Sequence, residues 1–137
     1  MVKTGLERFI KKSDKYKKRN IAVIANHTSL TDSFQYSWNV LQKQGLNLKR
    51  VFSPEHGLFG VEQDQVPVKI QPSSDTHIIS LYGDSYSTLV PDKSYLEDID
   101  LVIFDIQDVG ARYYTYVNTM VMFLQLINGM DMELLNS

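Results

Sequence analysis

The sequence predicts an α/β fold of the Rossmann-like kind, in which helices cover both faces of a parallel sheet to give three layers. Four short runs are strand-like, and those at 21–25 and 101–104 are continuously apolar rather than alternating, which indicates strands buried on both sides. Helical patterns lie between the runs, and alternation of strands with helices is typical of parallel sheets with right-handed crossovers. Each run ends in polar residues, so a polar loop is expected after every strand.

The composition is that of one folded domain without strong charge. Hydrophobic residues make up 43% of the 137 residues, which is enough to build a core. The 14 basic and 16 acidic side chains nearly cancel, so nucleic acid is not expected as a partner. The absence of cysteine excludes disulfides, thiolate metal sites and cysteine nucleophiles.

No targeting or membrane segment is predicted. No apolar run approaches the ~18 residues needed to cross a bilayer, so membrane insertion is not expected. The first residues lack the apolar stretch of a secretory signal. The expected compartment is therefore the cytoplasm, with the cell envelope or periplasm as the alternative.

The predicted strands cover residues 21–25, 48–52, 77–81 and 101–104. The basic run 11–19, before the first strand, is expected to be a solvated helix face or a connector. The segment 59–76 shows no periodicity and contains two prolines, so a long loop is expected there.

Helices are predicted after the first strand and before the fourth. The first helix begins at a cap formed by Thr31 or Asp32 and ends at Gly45. Its apolar face is expected to consist of Phe34, Trp38 and Leu41. A shorter helix is predicted over residues 92–98.

The last predicted helix begins between residues 110 and 112 and is apolar on most of its surface. Its main stripe has i, i+3, i+4, i+7 spacing and comprises Tyr113, Tyr116, Val117, Met120, Leu124 and Ile127. Further apolar residues at 121–123 lie off that stripe, so a homo-oligomer that covers this helix is expected. No strand is predicted after the helix, and the domain, residues 1–137, is expected to be truncated there.

Polar side chains follow each of the four predicted strands. Because ligands bind outside the carboxyl ends of parallel strands, these side chains are expected to line one small-molecule site. They are Asn26, His27 and Thr28, then Glu55 and His56, then Tyr82, and then Asp105, Gln107 and Asp108. The start of the last helix adds Arg112, Tyr114 and Tyr116.

Several of these residues also have a purely structural interpretation. The segment around Glu55 could be an ordinary exposed turn, and Asp105 could cap the turn that follows its strand. His27 could be a loop histidine, and Tyr116 could belong to the core.

The motifs present favour carboxylate chemistry. There is no glycine-rich dinucleotide motif, no phosphate-binding loop and no serine nucleophile elbow. No metal-ligand motif appears either, so neither a metal nor a cofactor is predicted. Glycoside hydrolysis uses carboxyl groups as acid, base or nucleophile, and a recess walled by tyrosines would keep Glu55 protonated as a general acid.

Two long segments carry a resemblance to a known family. They are FSPEHGLFG at 52–60 and FDIQDVGARYYTY at 104–116, with shorter matches at 24–28, 80–83 and 118–120. From about residue 5 to 126 the chain resembles the exo-β-N-acetylmuramidase family of glycoside hydrolases. The resemblance implies a Rossmann-like N-terminal subdomain. It also implies release of terminal β-1,4-linked N-acetylmuramic acid from peptidoglycan fragments, without a metal or nucleotide.

The same resemblance implies roles for individual residues. Glu55 looks like the catalytic carboxylate, with His56 beside it. Substrate binding would fall to Asn26, Tyr82, Asp105, Asp108, Arg112, Tyr114 and Tyr116, of which Arg112 suits the lactyl carboxylate of the sugar.

Other functions stay open beside that one. The second subdomain of the family is expected to be missing, so a non-catalytic sugar-binding or assembly module is the main alternative to an enzyme. A phospho-receiver domain is a further alternative, because a hydrophobic strand ends in Asp105. Such a domain needs an acidic pair after its first strand, where this sequence has Asn26 and His27.

Overall fold

The computed structural model describes residues 3–54, 58, 76–81, 91–108, 110 and 115–136. Its helices and strands are α1 (Gly5–Ile10), β1 (Asn20–Ala25), α2 (Ser37–Lys43), β2 (Asn47–Ser53), β3 (His77–Ser80), β4 (Leu101–Asp105), α3 (Tyr116–Ile127) and β5 (Glu133–Asn136). Two short 3-10 helices, Ser13–Tyr16 and Lys93–Leu96, precede β1 and β4. Among these residues, none of the helices has the length and apolar character needed to span a bilayer.

The five strands form one sheet in which every pairing is parallel, with the order β3-β2-β1-β4-β5. The chain therefore runs outward from β1 to one edge of the sheet and then crosses back to fill the other side. This is the order of a doubly wound domain, whose ligand crevice lies where the direction reverses. Here that switch point lies between β1 and β4, which pair Ile24 with Phe104 and Ala25 with Asp105. The predicted Rossmann-like α/β fold is confirmed.

Apolar side chains of β1 feed cores on both faces of the sheet. Ile21 and Val23 contact one core, which α1 and α2 cover, and Ile24 contacts the other, which α3 covers. Because the β1–α2–β2 and β4–α3–β5 crossovers run in opposite directions along the sheet, right-handed connections place α2 and α3 on opposite faces. The result is three layers, with β1 fully buried from residue 21 to residue 25.

The helix between β1 and β2 begins later than predicted. Its N-cap position is Tyr36 rather than Thr31 or Asp32, and Phe34 is 83% exposed instead of lying on its buried face. The polar residues before it satisfy one another: the Thr31 hydroxyl accepts from the Gln35 N–H at 3.2 Å, and the Thr31 N–H donates to the Gln35 carbonyl at 2.9 Å. Such local bonds compete with a helical backbone and delay its start.

Two parts of that prediction are confirmed. Trp38 and Leu41 are buried, at 1% and 0% exposure. Gly45 follows the helix with a φ of 73°, the left-handed conformation that ends many helices.

The last helix starts at Tyr116, several residues after the predicted start, and buries a different stripe. Its buried residues are Tyr116, Thr119, Phe123 and Ile127, whereas Val117 and Leu124 are 50% and 44% exposed. The predicted stripe is right for Tyr116 and Ile127 and wrong for Val117 and Leu124, because apolar residues occupy two overlapping faces of this helix. Its first predicted member, Tyr113, lies outside the described residues. The ring of Phe123, predicted to lie off the stripe, packs edge-on against Phe52 with ring centroids 5.2 Å apart.

A fifth strand follows this helix, so the expectation of none is wrong. β5 pairs with β4 and aligns Leu101 with Glu133 and Ile103 with Leu135. Leu134 packs on the α3 side of the sheet and Leu135 on the α2 side. The strand has four residues and only these two are apolar. An apolar run of two residues is too short to predict a strand from the sequence.

Two further predictions concern the segments 92–98 and 59–76. The predicted helix over 92–98 is a 3-10 helix, Lys93–Leu96, which the Asp92 side chain caps by accepting from the Ser94 N–H. The predicted loop over 59–76 lies outside the described residues except for Thr76, which is buried and donates to the Leu48 carbonyl at 2.6 Å.

Candidate functional site

The carboxyl ends of the parallel strands lie at one edge of the sheet, and four of the predicted site residues occupy chain positions at this edge. Asn26 directly follows β1, Asp105 closes β4, Asp108 lies three residues further on, and Tyr116 opens α3. Glu55, His56, Tyr82, Arg112 and Tyr114 lie outside the described residues. The chain is described up to Pro54 after β2 and up to Leu81 after β3, whose N–H donates to the Ser53 carbonyl at 2.8 Å.

A tight turn over residues 26–29 follows β1. The Ser29 N–H donates to the Asn26 carbonyl at 3.0 Å, and the Asn26 N–H donates to the Ser29 hydroxyl at 3.0 Å. The Asn26 side-chain Oδ1 accepts from the Thr28 N–H at 2.9 Å. Asparagine, threonine and serine favour such turns because their side chains bond to nearby backbone groups. Asn26 is fully buried, whereas His27 is exposed and fits the loop-histidine interpretation.

Two hydroxyls of this turn join it to the end of β4 across the switch point. Ser29 Oγ donates to the Asp105 carbonyl. Thr28 Oγ1 accepts from the Gln107 N–H at 3.0 Å and lies 2.6 Å from Asn26 Oδ1. The ends of β1 and β4 are thus held together by side-chain bonds beyond the last rungs of the sheet.

The carboxyl edge also concentrates buried polar atoms that lack a hydrogen-bond partner. Within the described part of the chain these atoms include Asn26 Nδ2, Ser37 Oγ, Ser53 Oγ and Asp108 Oδ2. Ser37 belongs to this edge because it opens α2 and its N–H donates to the Ser29 carbonyl at 2.9 Å. Leaving a buried polar group unpaired costs about 1–3 kcal/mol, so these atoms are candidate hydrogen-bond partners for a water molecule or a polar ligand.

The two aspartates hold different positions at this edge. Asp105 is 9% exposed and continues the β4 register beside Ala25. Asp108 is half-buried, and its Oδ1 accepts from the Gly110 N–H at 2.6 Å, with Gly110 at a φ of 69°. That hydrogen bond orients the Asp108 carboxylate and leaves its Oδ2 for another donor.

Tyr116 differs from the other predicted site residues in its surroundings. It is 4% exposed and packs in the core on the α3 side of the sheet, as its structural interpretation expects. Its substrate-binding role stays a prediction. Within the described ranges, no three His, Asp or Glu side chains come together where they could hold a metal ion.

Sequence reasoning missed three serines at this edge. Ser29, Ser37 and Ser53 are 1%, 0% and 3% exposed. The signal that could have identified Ser53 is a polar residue at the last position of an apolar buried strand. Ser29 and Ser37 gave no such signal. Ser29 lies in the loop between β1 and α2 and Ser37 is the first residue of α2, and the sequence alone does not predict the course of that loop.

A family model and a curated relative that match this chain both carry the name NamZ. A family model described as exo-beta-N-acetylmuramidase NamZ, N-terminal, matches residues 21–135. Peptidoglycan beta-N-acetylmuramidase NamZ from Bacillus subtilis (strain 168) is 35% identical over 123 residues, which cover 87% of this chain and 29% of the relative. The chain thus spans less than a third of that relative's length.

Two crystal structures of DUF1343 family proteins from Bacteroides fragilis NCTC 9343 share the fold. One superposes with a TM-score of 0.80 at 28% identity, over 98% of this chain and 33% of the other. The second superposes with a TM-score of 0.68 at 27% identity, over 96% and 33% of the two chains.

Proposed function

We propose that this chain provides the sugar-binding edge of a glycoside hydrolase. The premise is that the chain belongs to the exo-β-N-acetylmuramidase NamZ family, since it matches the model of the family's N-terminal domain. The reaction would release terminal β-1,4-linked N-acetylmuramic acid from peptidoglycan fragments. The observation that carries the proposal is the group of buried, unpaired polar atoms at the carboxyl edge of the sheet.

A saccharide suits these atoms chemically. Asn26 Nδ2 can only donate, Asp108 Oδ2 accepts when ionised, and Ser53 Oγ does both. Sugar hydroxyls are donors and acceptors at once, and an N-acetyl group adds a carbonyl acceptor and an N–H donor. A ligand of this kind can satisfy a mixed set of groups that a purely anionic or purely apolar ligand would leave unpaired.

For the chemical step, we assign Glu55 as the acid/base residue and His56 as its catalytic neighbour. Glu55 lies two residues after Ser53, the last residue of β2, which is buried and paired with β3 at Ser80. A carboxyl group can give its proton to the glycosidic oxygen as the bond from that oxygen to the anomeric carbon breaks, and water supplies the new hydroxyl on that carbon. We assign Arg112 to the lactyl carboxylate, because a guanidinium binds a carboxylate through two parallel hydrogen bonds.

The remaining predicted residues would bind the sugar around this step. Tyr82 and Tyr114 would contact its faces, while Asp105 and Asp108 would accept from its hydroxyls. The alternative is a module that keeps the sugar-binding edge without turnover. Binding without release by this chain would support that alternative.

The test combines release and binding. A chromogenic N-acetylmuramic acid glycoside is incubated with this chain, its Glu55→Gln variant and the Bacillus subtilis relative, and binding of N-acetylmuramic acid is measured by calorimetry. We expect Glu55→Gln to reduce release by about a hundredfold or more while binding is kept. Glu97→Gln, the same change at an exposed residue before β4, should leave both unchanged. No binding by this chain would overturn the proposal, and release unaffected by Glu55→Gln would remove the Glu55 assignment.

The expected homo-oligomer remains a proposal as well. Val117, Val121 and Leu124 lie at i, i+4 and i+7 on α3 and are 50%, 42% and 44% exposed, so they form one continuous apolar stripe on its outer surface. We propose that a second copy of the chain covers this stripe.

A further inference from the structure

The Thr28 hydroxyl makes two hydrogen bonds that together determine its direction. Its oxygen accepts from the Gln107 N–H at 3.0 Å and lies 2.6 Å from Asn26 Oδ1. A backbone N–H can only donate, so the hydroxyl hydrogen remains available for the Asn26 oxygen. Thr28 therefore connects the backbone after β4 to the side chain that follows β1.

The same bonds determine which way the Asn26 carboxamide faces. Two donors from Thr28, its N–H at 2.9 Å and its hydroxyl, converge on one side-chain atom of Asn26. That atom must be the carbonyl oxygen, since the amide nitrogen cannot accept. Asn26 Nδ2 is then a fixed donor, fully buried and without a partner.

We propose that Thr28 is a positioning residue for saccharide binding, because it holds Asn26 so that Nδ2 donates to an acceptor oxygen of the bound sugar. This inference rests on the proposed function. A free carboxamide could rotate and offer its oxygen instead, but rotation here would break both bonds to Thr28. The Thr28 hydroxyl thus fixes the Asn26 carboxamide in one of its two possible orientations, the one in which Nδ2 is the group available to the sugar.

A purely structural role for Thr28 predicts something different. In that case the hydroxyl would only help to join β1 to β4, and its loss would lower stability without changing the sugar affinity of the folded protein. Ser29 already joins the same two strand ends through the Asp105 carbonyl. The two roles can therefore be separated by measuring affinity and stability in the same variants.

The experiment uses Thr28→Val, which removes the hydroxyl at nearly constant volume, and Thr28→Ser, which keeps it. The matched control is Thr31→Val, because the Thr31 hydroxyl also accepts a backbone N–H, from Gln35 at 3.2 Å, but belongs to the loop after the turn. Affinity for N-acetylmuramic acid is measured by calorimetry, and the Asn26 side-chain amide is followed by NMR during the titration. Unfolding curves establish that each variant is folded under the conditions used.

We expect Thr28→Val to weaken binding about tenfold, as expected for one misplaced hydrogen bond, and to abolish the ligand-induced shift of the Asn26 amide resonance. Thr28→Ser and Thr31→Val should bind within about twofold of the parent. In an Asn26→Ala background, Thr28→Val should weaken binding no further, because Thr28 acts through Asn26.

Two results would overturn the positioning role while leaving the proposed function intact. One is a folded Thr28→Val protein that binds the sugar as tightly as the parent. The other is a further loss of affinity when Thr28→Val is added to Asn26→Ala. If the parent chain binds no N-acetylmuramic acid at all, the proposed function itself fails.

Discussion

The Ser29 hydroxyl donates a hydrogen bond to the backbone carbonyl of Asp105 and so joins the end of β1 to the end of β4. The same oxygen accepts from the Asn26 N–H at 3.0 Å, and Ser29 is 1% exposed. This bond lies at the switch point of the sheet, where doubly wound domains bind their ligands. The geometry of the candidate site therefore depends on one buried hydroxyl as well as on the strands.

Ser29→Ala is expected to lower the free energy of unfolding by about 2–3 kcal/mol. The change leaves the Asn26 N–H and the Asp105 carbonyl without their partner in a buried position. Urea unfolding followed by circular dichroism measures the effect. Ser33→Ala is the control, because its exposed hydroxyl lies 3.0 Å from Thr31 Oγ1 and should contribute less than about 0.5 kcal/mol. Equal losses in the two variants would contradict the proposed importance of the Ser29 bond.

The buried stripe of α3 is tested by Phe123→Ala and Leu124→Ala. Phe123 is 0% exposed and packs against Phe52, so its removal should lower the unfolding free energy by about 3–5 kcal/mol. Leu124 is 44% exposed, and its truncation should cost less than about 1 kcal/mol. Thermal or chemical unfolding of both variants gives the comparison. If Leu124→Ala lowered the unfolding free energy more than Phe123→Ala, Leu124 and not Phe123 would belong to the buried face of α3, as the sequence predicts.

The central strands were predictable because they are buried on both faces. Burial of that kind favours the continuous apolar runs seen in β1 and β4, whereas β2 contains Lys49 and Arg50 and is apolar and buried at Val51 and Phe52. Each predicted boundary of these three strands lies within one residue of the observed one. β5 lies at the edge of the sheet and has two apolar residues, Leu134 and Leu135, so nothing in the sequence separates it from a loop.

The helix faces and the site were predictable only in part. Asn26 and Asp105 could be placed because strand ends share one edge, which requires only the order of strands and loops along the chain. The bonds of Thr28 and Ser29 could not be predicted, since their partners, Gln107 and Asp105, lie 79 and 76 residues further along the chain. Phe34 was misplaced because local hydrogen bonds of Thr31 prevailed over an apolar spacing that fits a helix.

Replacing Phe34 by asparagine is expected to raise the unfolding free energy by about 1 kcal/mol. Phe34 has a φ of 56° and is 83% exposed, so its ring gains little from burial while its backbone is in the left-handed region. Asparagine tolerates that region, which removes most of the strain. The control Phe34→Ala keeps the strain and should bring no gain. Thermal unfolding measures both, and a lower midpoint for Phe34→Asn would show that the ring makes a stabilising contact.

Acid should remove a contribution of Asp92 to stability. Hydrogen bonds from Ser94, chiefly its backbone N–H at 2.9 Å, hold the pKa of the Asp92 carboxyl below its usual value. A pKa that is lowered in the folded state stabilises the fold at pH values above the ordinary pKa of an aspartate, and that stabilisation disappears as the pH falls through the lowered pKa. Asp92→Asn keeps a capping side chain without the charge.

The parent and the Asp92→Asn variant should therefore differ most near neutral pH and converge in acid. Unfolding curves recorded from pH 7 down to about pH 2.5 follow that difference across the titration of the carboxyl. A difference that stays constant over the whole range would show that the Asp92 charge contributes nothing to folding.

Self-association through α3 should depend on the exposed stripe of Val117, Val121 and Leu124. If a second copy covers it, light scattering should give a mass that rises with concentration toward twice that of the chain. Val121→Lys places a charge in the middle of the stripe, where burial without a partner is costly, and should return the mass to that of one chain. The control Gln44→Lys adds the same charge at an exposed residue after α2, on the opposite face of the sheet, and should leave association unchanged. A parent chain that keeps a single-chain mass at high concentration would reject the proposal, because an apolar stripe that is covered by a second copy must respond to mass action.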